Sequence, residues 1–159
     1  MVKDYGWLLR SDTAYSEKAA RVAAATKDIS EILGAERDAL KSLAAAPAAR
    51  RIAYHPPCTL QHGQRLTGGV EALLMDAGFE LAPVAEKHLC CGSAGTYSIL
   101  QPEIADQLKA RKLGNLQAGQ PELIATANIG CLTHLQSGTG IPVRHWVELL
   151  DEALEKTQS

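Results

Sequence analysis

Three short apolar runs in this 159-residue chain each end a few residues before a cysteine. Ile52-Ala53-Tyr54 precedes Cys58. Phe79-Glu80-Leu81-Ala82 precedes Cys90 and Cys91, and Leu123-Ile124-Ala125-Thr126-Ala127 precedes Cys131. Between these strand-like runs lie segments of helical period. Val70, Leu73, Leu74 and Ala77 repeat at i, i+3, i+4 and i+7 ahead of Gly78. Pro102 and Glu103 open a helix that runs to about Ala118-Gly119. Pro142-Val143-Arg144 reads as a last short strand, and Trp146, Leu149, Leu150, Ala153 and Leu154 give an amphipathic C-terminal helix. Strands alternating with helices predict an α/β fold: a small parallel sheet of about four strands with helices on both faces and right-handed crossovers. Residues 92–101 and 130–140 read as loops, because glycine and small polar residues dominate them.

The sheet is preceded by a helical segment. Tyr15, Ala19, Val22, Thr26, Ile29 and Leu33 share one stripe, with Asp12 as the expected N-cap and Gly34 as the stop. A second short helix is expected over residues 36–46, before Pro47. The domain reading is therefore an N-terminal helical segment at 1–50 and a cysteine-rich α/β domain at 51–159.

Composition excludes several classes. A net charge of −2 argues against nucleic acid as the main partner, since neutralising phosphates needs an excess of Lys and Arg. No apolar run approaches the ~18 residues of a membrane span. Met1-Val2-Lys3-Asp4-Tyr5-Gly6 lacks the apolar stretch of a signal peptide, so the expected compartment is the reducing cytoplasm. In that compartment cysteines rarely serve as structural disulfides. Cys90 and Cys91 could not form an unstrained one with each other, because adjacent α-carbons stand ~3.8 Å apart and a relaxed bridge wants roughly 4.4–6.8 Å.

The placement of the cysteines favours a shared site. Ligands of an open parallel sheet bind beyond the carboxyl ends of its strands, and each cysteine position follows one of the three strand-like runs. The expectation is that Cys58, Cys90, Cys91 and Cys131 meet at one edge of the sheet as metal or redox ligands. The contrary reading is four unrelated buried thiols. His134, separated from Cys131 by two residues, has metal-ligand spacing and is the fifth candidate ligand, against a loop histidine bonded to backbone. His55 either orients a ligand sulfur or is a satisfied loop histidine. His62, His88 and His145 read as surface or structural residues, with His88 near enough in sequence to tune the pair. Lys87 and Arg144 are candidate charge partners, against scattered surface cations. No Ser/His/Asp set, paired carboxylates or dinucleotide fingerprint stands out, so no catalytic residue is assigned.

The series Cys58, Cys90-Cys91-Gly92, Cys131 resembles the cysteine-rich CCG domains of heterodisulfide reductase subunits in order and spacing. Tyr54-His55-Pro56-Pro57-Cys58-Thr59-Leu60-Gln61, Leu89-Cys90-Cys91-Gly92-Ser93-Ala94-Gly95-Thr96-Tyr97 and Asn128-Ile129-Gly130-Cys131-Leu132-Thr133-His134 are similar, more narrowly, to the C-terminal CCG domain of glycolate oxidase iron–sulfur subunits. Val2-Lys3-Asp4-Tyr5-Gly6-Trp7-Leu8-Leu9-Arg10 resembles the segment that follows the first CCG domain in that family. The resemblance implies an iron–sulfur cluster of [4Fe–4S] type held by Cys58, Cys90, Cys91 and Cys131. His134 stands where the family's motif ends in a further cysteine, which alters the ligand set and leaves zinc as the alternative metal. It also implies electron transfer from FAD-containing subunits toward a membrane quinone. The ferredoxin-like part and first CCG domain are expected on a longer subunit, so this piece alone is expected to be inactive. Location is then cytoplasmic, with a peripheral position at the inner face of the cell membrane. Two further readings remain at this point: a zinc-locked docking domain without redox activity, and a metal-free dithiol enzyme using Cys90 or Cys91.

Overall fold

A computed structural model of the chain describes residues 1–43 and 50–155. It forms two compact units, Met1–Ala35 and Glu36–Ser159. The first holds a 3₁₀ turn at Val2–Asp4 and the helices α1 (Tyr5–Leu8), α2 (Ser16–Ala25) and α3 (Ile29–Ala35). The single long stripe expected from residue 12 is broken twice, for local polar reasons. Asp12 Oδ1 accepts from the amides of Ala14 and Tyr15 at 2.8 and 2.9 Å, which caps a turn before the helix begins at Ser16. Asp28 then accepts from Ser30 N at 2.9 Å while Glu31 Oε2 accepts from Asp28 N at 2.8 Å. This reciprocal capping box starts a new helix. α1 lies against α2 through Gly6, where a Cβ would stand 3.3 Å from Ala20 Cα. Trp7, Leu8, Tyr15 and Ile32 are all more than half exposed.

The second unit begins with α4 (Arg37–Leu43), and the expected continuation to residue 46 and Pro47 lies outside the described residues. It then runs β1 (Arg51–His55), a π-helical turn (Thr59–Gly63), α5 (Gly69–Asp76), β2 (Glu80–Leu81), α6 (Tyr97–Leu100) and α7 (Pro102–Gln117). β3 (Leu123–Thr126), α8 (Ile129–Gln136), β4 (Val143–His145) and α9 (Trp146–Glu155) complete it. The four strands form one parallel sheet in the order β2-β1-β3-β4, as the alternating pattern implied. Ile52 pairs with Leu123 and His55 with Thr126, so β1 and β3 end together. β1 from Ile52 onward and all of β3 are buried, as strands covered on both faces must be. α5 packs with α9, and α7 with α8.

The expected apolar stripes do the packing. Leu73 and Leu74 of α5, Leu116 of α7, and Trp146 and Leu149 of α9 are essentially inaccessible to solvent. Two regions differ from the sequence reading. Residues 97–100 form the short helix α6 within the expected loop. Residues 129–136, which fall largely in the loop expected at 130–140, form α8, because Asn128 caps its first turn and Leu135 buries completely. Among the described residues no helix is long and apolar enough to cross a membrane.

The order β2-β1-β3-β4 reverses direction between β1 and β3. That switch point opens a crevice beyond the carboxyl ends of both strands. Ile124 lies fully buried at the centre of β3, in the cluster that also contains Cys91 and Cys131. Ile124→Ala is expected to lower unfolding stability by about 2–5 kcal/mol, read as a reduced urea midpoint with an unchanged slope.

Candidate metal centre

Three loops converge on the crevice. β1 ends at His55, and Pro56-Pro57, which cannot continue a ladder, turn the chain to Cys58. The Pro57 carbonyl accepts from the amides of Leu60 and Gln61, starting the π-helical turn Thr59–Gly63. Cys90 and Cys91 arrive on the loop after β2. There the chain must bend at Gly92, whose φ is +93°. A side chain at Gly92 would also collide with Ala105 of α7, whose Cα and carbonyl carbon stand 3.1 Å from the Cβ position. Cys131 lies in the first turn of α8, where Asn128 Oδ1 accepts from Gly130 N at 2.9 Å and Cys131 N at 3.2 Å. The positive end of that helix favours a thiolate.

All four cysteines line one cavity of about 310 Å³, with Pro57, Thr59, Ser93, Gly95 and Asn128 among its other walls. None is in a disulfide. Within this setting His55, Cys91 and Cys131 form a tight group. One ring nitrogen and the two sulfurs lie within 4.8 Å of one another, and all three residues are buried. Cys58 and Cys90 complete the wall beside them. The Gly92 amide donates to Cys90 Sγ at 3.3 Å.

The sequence-predicted ligands are thus distributed unevenly. Cys58, Cys90, Cys91 and Cys131 reach the cavity. His134 is not brought into the tight group. With Asn128 capping α8, Cys131 occupies the first turn and His134 lies one turn further along, near Asp106 of α7. His55, read from sequence either as orienting a ligand sulfur or as a satisfied loop histidine, is the last residue of β1 and fully buried. Neither of its ring nitrogens makes a hydrogen bond of normal geometry. Leaving a buried imidazole unpaired costs free energy. A metal coordinated by His55, Cys91 and Cys131 removes that cost, so the donor set fits a thiolate- and imidazole-ligated centre. The position of His55 is fixed by β1–β3 pairing and by Thr126 Oγ1, which donates to the His55 carbonyl at 3.0 Å.

The electrostatics of the sulfurs are those of thiols held close together. The Cys91 thiol is lowered to about 4, first because the Cys131 thiol donates to its sulfur. Burial opposes this, and the His55 ring and Ser93 amide add to the lowering. Cys131 is pushed far up by the same hydrogen bond, then by burial. Cys58 is raised to about 11 by burial first and by neighbouring Cys90 second. The hydrogen bond between Cys131 and Cys91 thus favours the thiolate on Cys91 and the thiol on Cys131.

Sequence reasoning also missed Lys112. It sits on the buried face of α7 with Ala105, Leu113 and Leu116, and is itself inaccessible to solvent. Its ammonium donates to the carbonyls of Glu86, at 2.8 Å, and Lys87, at 3.3 Å. The signal was a lysine in register with an apolar helical stripe. The cations chosen from sequence, Lys87 and Arg144, instead form surface ion pairs with Glu71 and with Glu148 and Glu152.

Comparison with known proteins agrees with this geometry. The model of the cysteine-rich domain family CCG matches residues 52–136. The glycolate oxidase iron-sulfur subunit of Escherichia coli strain K12 is 48% identical over 98% of this chain. Lactate utilization protein A of Shouchella clausii is 29% identical over 95% of it. The probable glycolate oxidase iron-sulfur subunit of Bacillus subtilis is 31% identical over 85%. The chain spans 37%, 65% and 30% of those three relatives, respectively.

Two outcomes are expected from variants of this site. In titrations with Co(II), His55→Ala should weaken binding by about tenfold or more, while His134→Ala should bind as the parent does; even the loss of a group that only hydrogen-bonds a ligand costs roughly 10–100-fold at metal sites. Asn128→Ala should destabilise the protein by ~1 kcal/mol through the lost helix cap, measured by urea denaturation of the metal-free chain.

Proposed function

Since the chain belongs to the CCG cysteine-rich domain family, we propose that it is the iron–sulfur-binding electron-transfer module of a glycolate-oxidase-type oxidoreductase. The observation that carries this reading is the single cavity onto which Cys58, Cys90, Cys91 and Cys131 all open, with the unpaired His55 imidazole beside Cys91 and Cys131. The relatives that bear the name iron-sulfur subunit support the choice of metal. In this reading the four cysteines hold a [4Fe–4S]-type cluster, and His55 takes the fifth position that spacing had suggested for His134.

Such a cluster supplies one-electron transfer at a potential set by its ligands, the hydrogen bonds to their sulfurs and burial. The residues of this chain act on those terms. The Gly92 amide donates to Cys90 Sγ, and the Ser93 amide to Cys91, which draws charge from the sulfurs. Cys91 and Cys131 sit among Ala53, Leu113, Leu116 and Ile124, an apolar setting that limits water on that side. The opposite side opens through the cavity mouth, which gives a partner a short path to the centre.

Electrons then pass from FAD-bearing partner subunits through this module to a quinone-type acceptor at the inner face of the membrane. The E. coli relative is much longer than this chain, and its remaining length supplies the ferredoxin-like part and a first CCG domain in this reading. The exposed Trp7, Leu8, Tyr15 and Ile32 fit a helical segment that meets those parts. Alone, the chain oxidises no glycolate.

A second reading rests on the compactness of the His55, Cys91 and Cys131 group, which suits one tetrahedral metal completed by a further cysteine. Zinc is ordinarily held by such Cys₃His sets, and the domain would then serve docking. Anaerobic reconstitution with iron and sulfide, followed by elemental analysis, separates the two. Iron and acid-labile sulfide should be retained by the parent chain and drop by at least half in Cys91→Ser and in Cys131→Ser. Retention of zinc alone, in protein purified and reconstituted anaerobically, would establish the docking reading.

A further inference from the structure

Lys112 is a buried cation whose hydrogen bonds, among the described residues, go to backbone carbonyls alone. It is fully buried on α7, and among the described residues its ammonium forms no ion pair. The nearest candidate, Glu86, offers Lys112 only its backbone carbonyl; its carboxylate is taken by Arg111 and by Asn115 Nδ2, the latter at 2.8 Å. An ammonium removed from water costs several kcal/mol unless an anion compensates it, so a buried lysine that pairs with no carboxylate requires another source of negative charge.

That source lies on the cysteine side. Leu113, the next residue of α7, packs in the same cluster as Cys91 and Cys131. The two carbonyls that hold Lys112 belong to residues 86 and 87, the start of the loop that delivers Cys90 and Cys91. The Lys87 carbonyl also accepts from Gln61 Nε2 at 3.4 Å, and the same amide donates to the Pro56 carbonyl at 3.2 Å. Lys112 therefore fastens the loop of the vicinal pair to α7, and Gln61 fastens the same loop to the turn that carries Cys58. Burial acts most strongly on the Lys112 ammonium and disfavours its charge; the sulfurs of Cys58 and Cys91, the Glu86 carboxylate and the Cys90 sulfur oppose burial and favour the protonated form.

We propose that Lys112 is a positioning residue for the metal centre: its buried ammonium is the fixed counter-charge of the cysteine thiolates and the anchor that holds the Cys90–Cys91 loop over them. The proposal rests on the reading of the cavity as a metal site but not on the metal being iron. With a redox cluster bound, a fixed positive charge favours the reduced, more negative state and so raises the reduction potential. With any thiolate-bound cation, it offsets the surplus negative charge of the ligands and tightens binding.

The test uses the whole 159-residue chain in four forms: parent, Lys112→Gln, Lys112→Met and Lys112→Arg. Gln removes the charge and keeps an N–H for the Glu86 and Lys87 carbonyls; Met removes both; Arg restores the charge. Zinc affinity is measured by competition with a chromophoric chelator, and folding of the metal-free forms by circular dichroism. The expected result is zinc binding weakened by about tenfold in Gln and more in Met, with Arg closer to the parent; supporting groups around metal ligands typically contribute 10–100-fold. In iron-loaded protein, the Gln variant should show a midpoint potential more negative than the parent, by spectroelectrochemical titration. A structural role alone would lower thermal stability and leave the potential where it was. Folded Gln and Met variants with the parent's zinc affinity would overturn the proposal, as would an unshifted potential in the iron-loaded Gln form. If the parent retains no iron or sulfide, the electron-transfer reading fails, and the zinc series still decides the role of Lys112.

Discussion

The hydrogen-bonded pairing of β1 with β3 is the constraint on which the rest of the molecule depends. It sets His55 opposite Thr126, so the two strands finish at the same level. The loops that follow must then leave the sheet side by side. One carries Cys58 after two prolines, and the other carries Cys131 after the Asn128 cap. β2 lies on the far side of β1, so the chain returns across the sheet through α7 before β3. The loop after β2 thereby brings Cys90 and Cys91 to the same rim. A slip of one residue between β1 and β3 would turn His55 to the other face and dissolve the group it forms with Cys91 and Cys131.

Burial and charge work against each other at this rim. Cys91 and Cys131 belong to the hydrophobic core, where a thiolate is costly, yet the sulfurs are close enough that one is ionised at the expense of the other. The same region buries an imidazole whose ring nitrogens make no hydrogen bond of normal geometry and an ammonium bonded to backbone carbonyls. Each of these is unfavourable alone. In the proposed metal centre, thiolates, imidazole and ammonium compensate one another. Local conflicts of this kind concentrate where a protein gives up stability for function.

Much of this was legible in the chain. Short apolar runs marked the four strands, the 3.6-residue period marked α5 and α9, and Pro102-Glu103 marked the start of α7. The rule that ligands collect beyond the carboxyl ends of parallel strands brought the four cysteines to one edge. What escaped was governed by contacts distant in sequence. α8 looked like a loop because Gly130 and Thr133 masked a helix whose stability comes from the Asn128 cap and the buried Leu135. His55 looked like a loop residue because two prolines follow it, although the ladder to Thr126 extends the strand through it. His134 had the spacing of a ligand, but a helix puts a residue three positions on about one turn along the axis, away from the group that Cys131 joins. Lys112 was hidden within an ordinary helical pattern, since only the tertiary fold reveals that its ammonium has carbonyls around it and thiols beyond.

X-ray absorption at the metal edge of the loaded 159-residue chain tests the central claim most directly. The account predicts a first shell dominated by sulfur, at about 2.3 Å, with the scattering of one imidazole that disappears in His55→Ala and persists in His134→Ala. A shell of oxygen and nitrogen without sulfur, or imidazole scattering that disappears with His134 and not with His55, would contradict it.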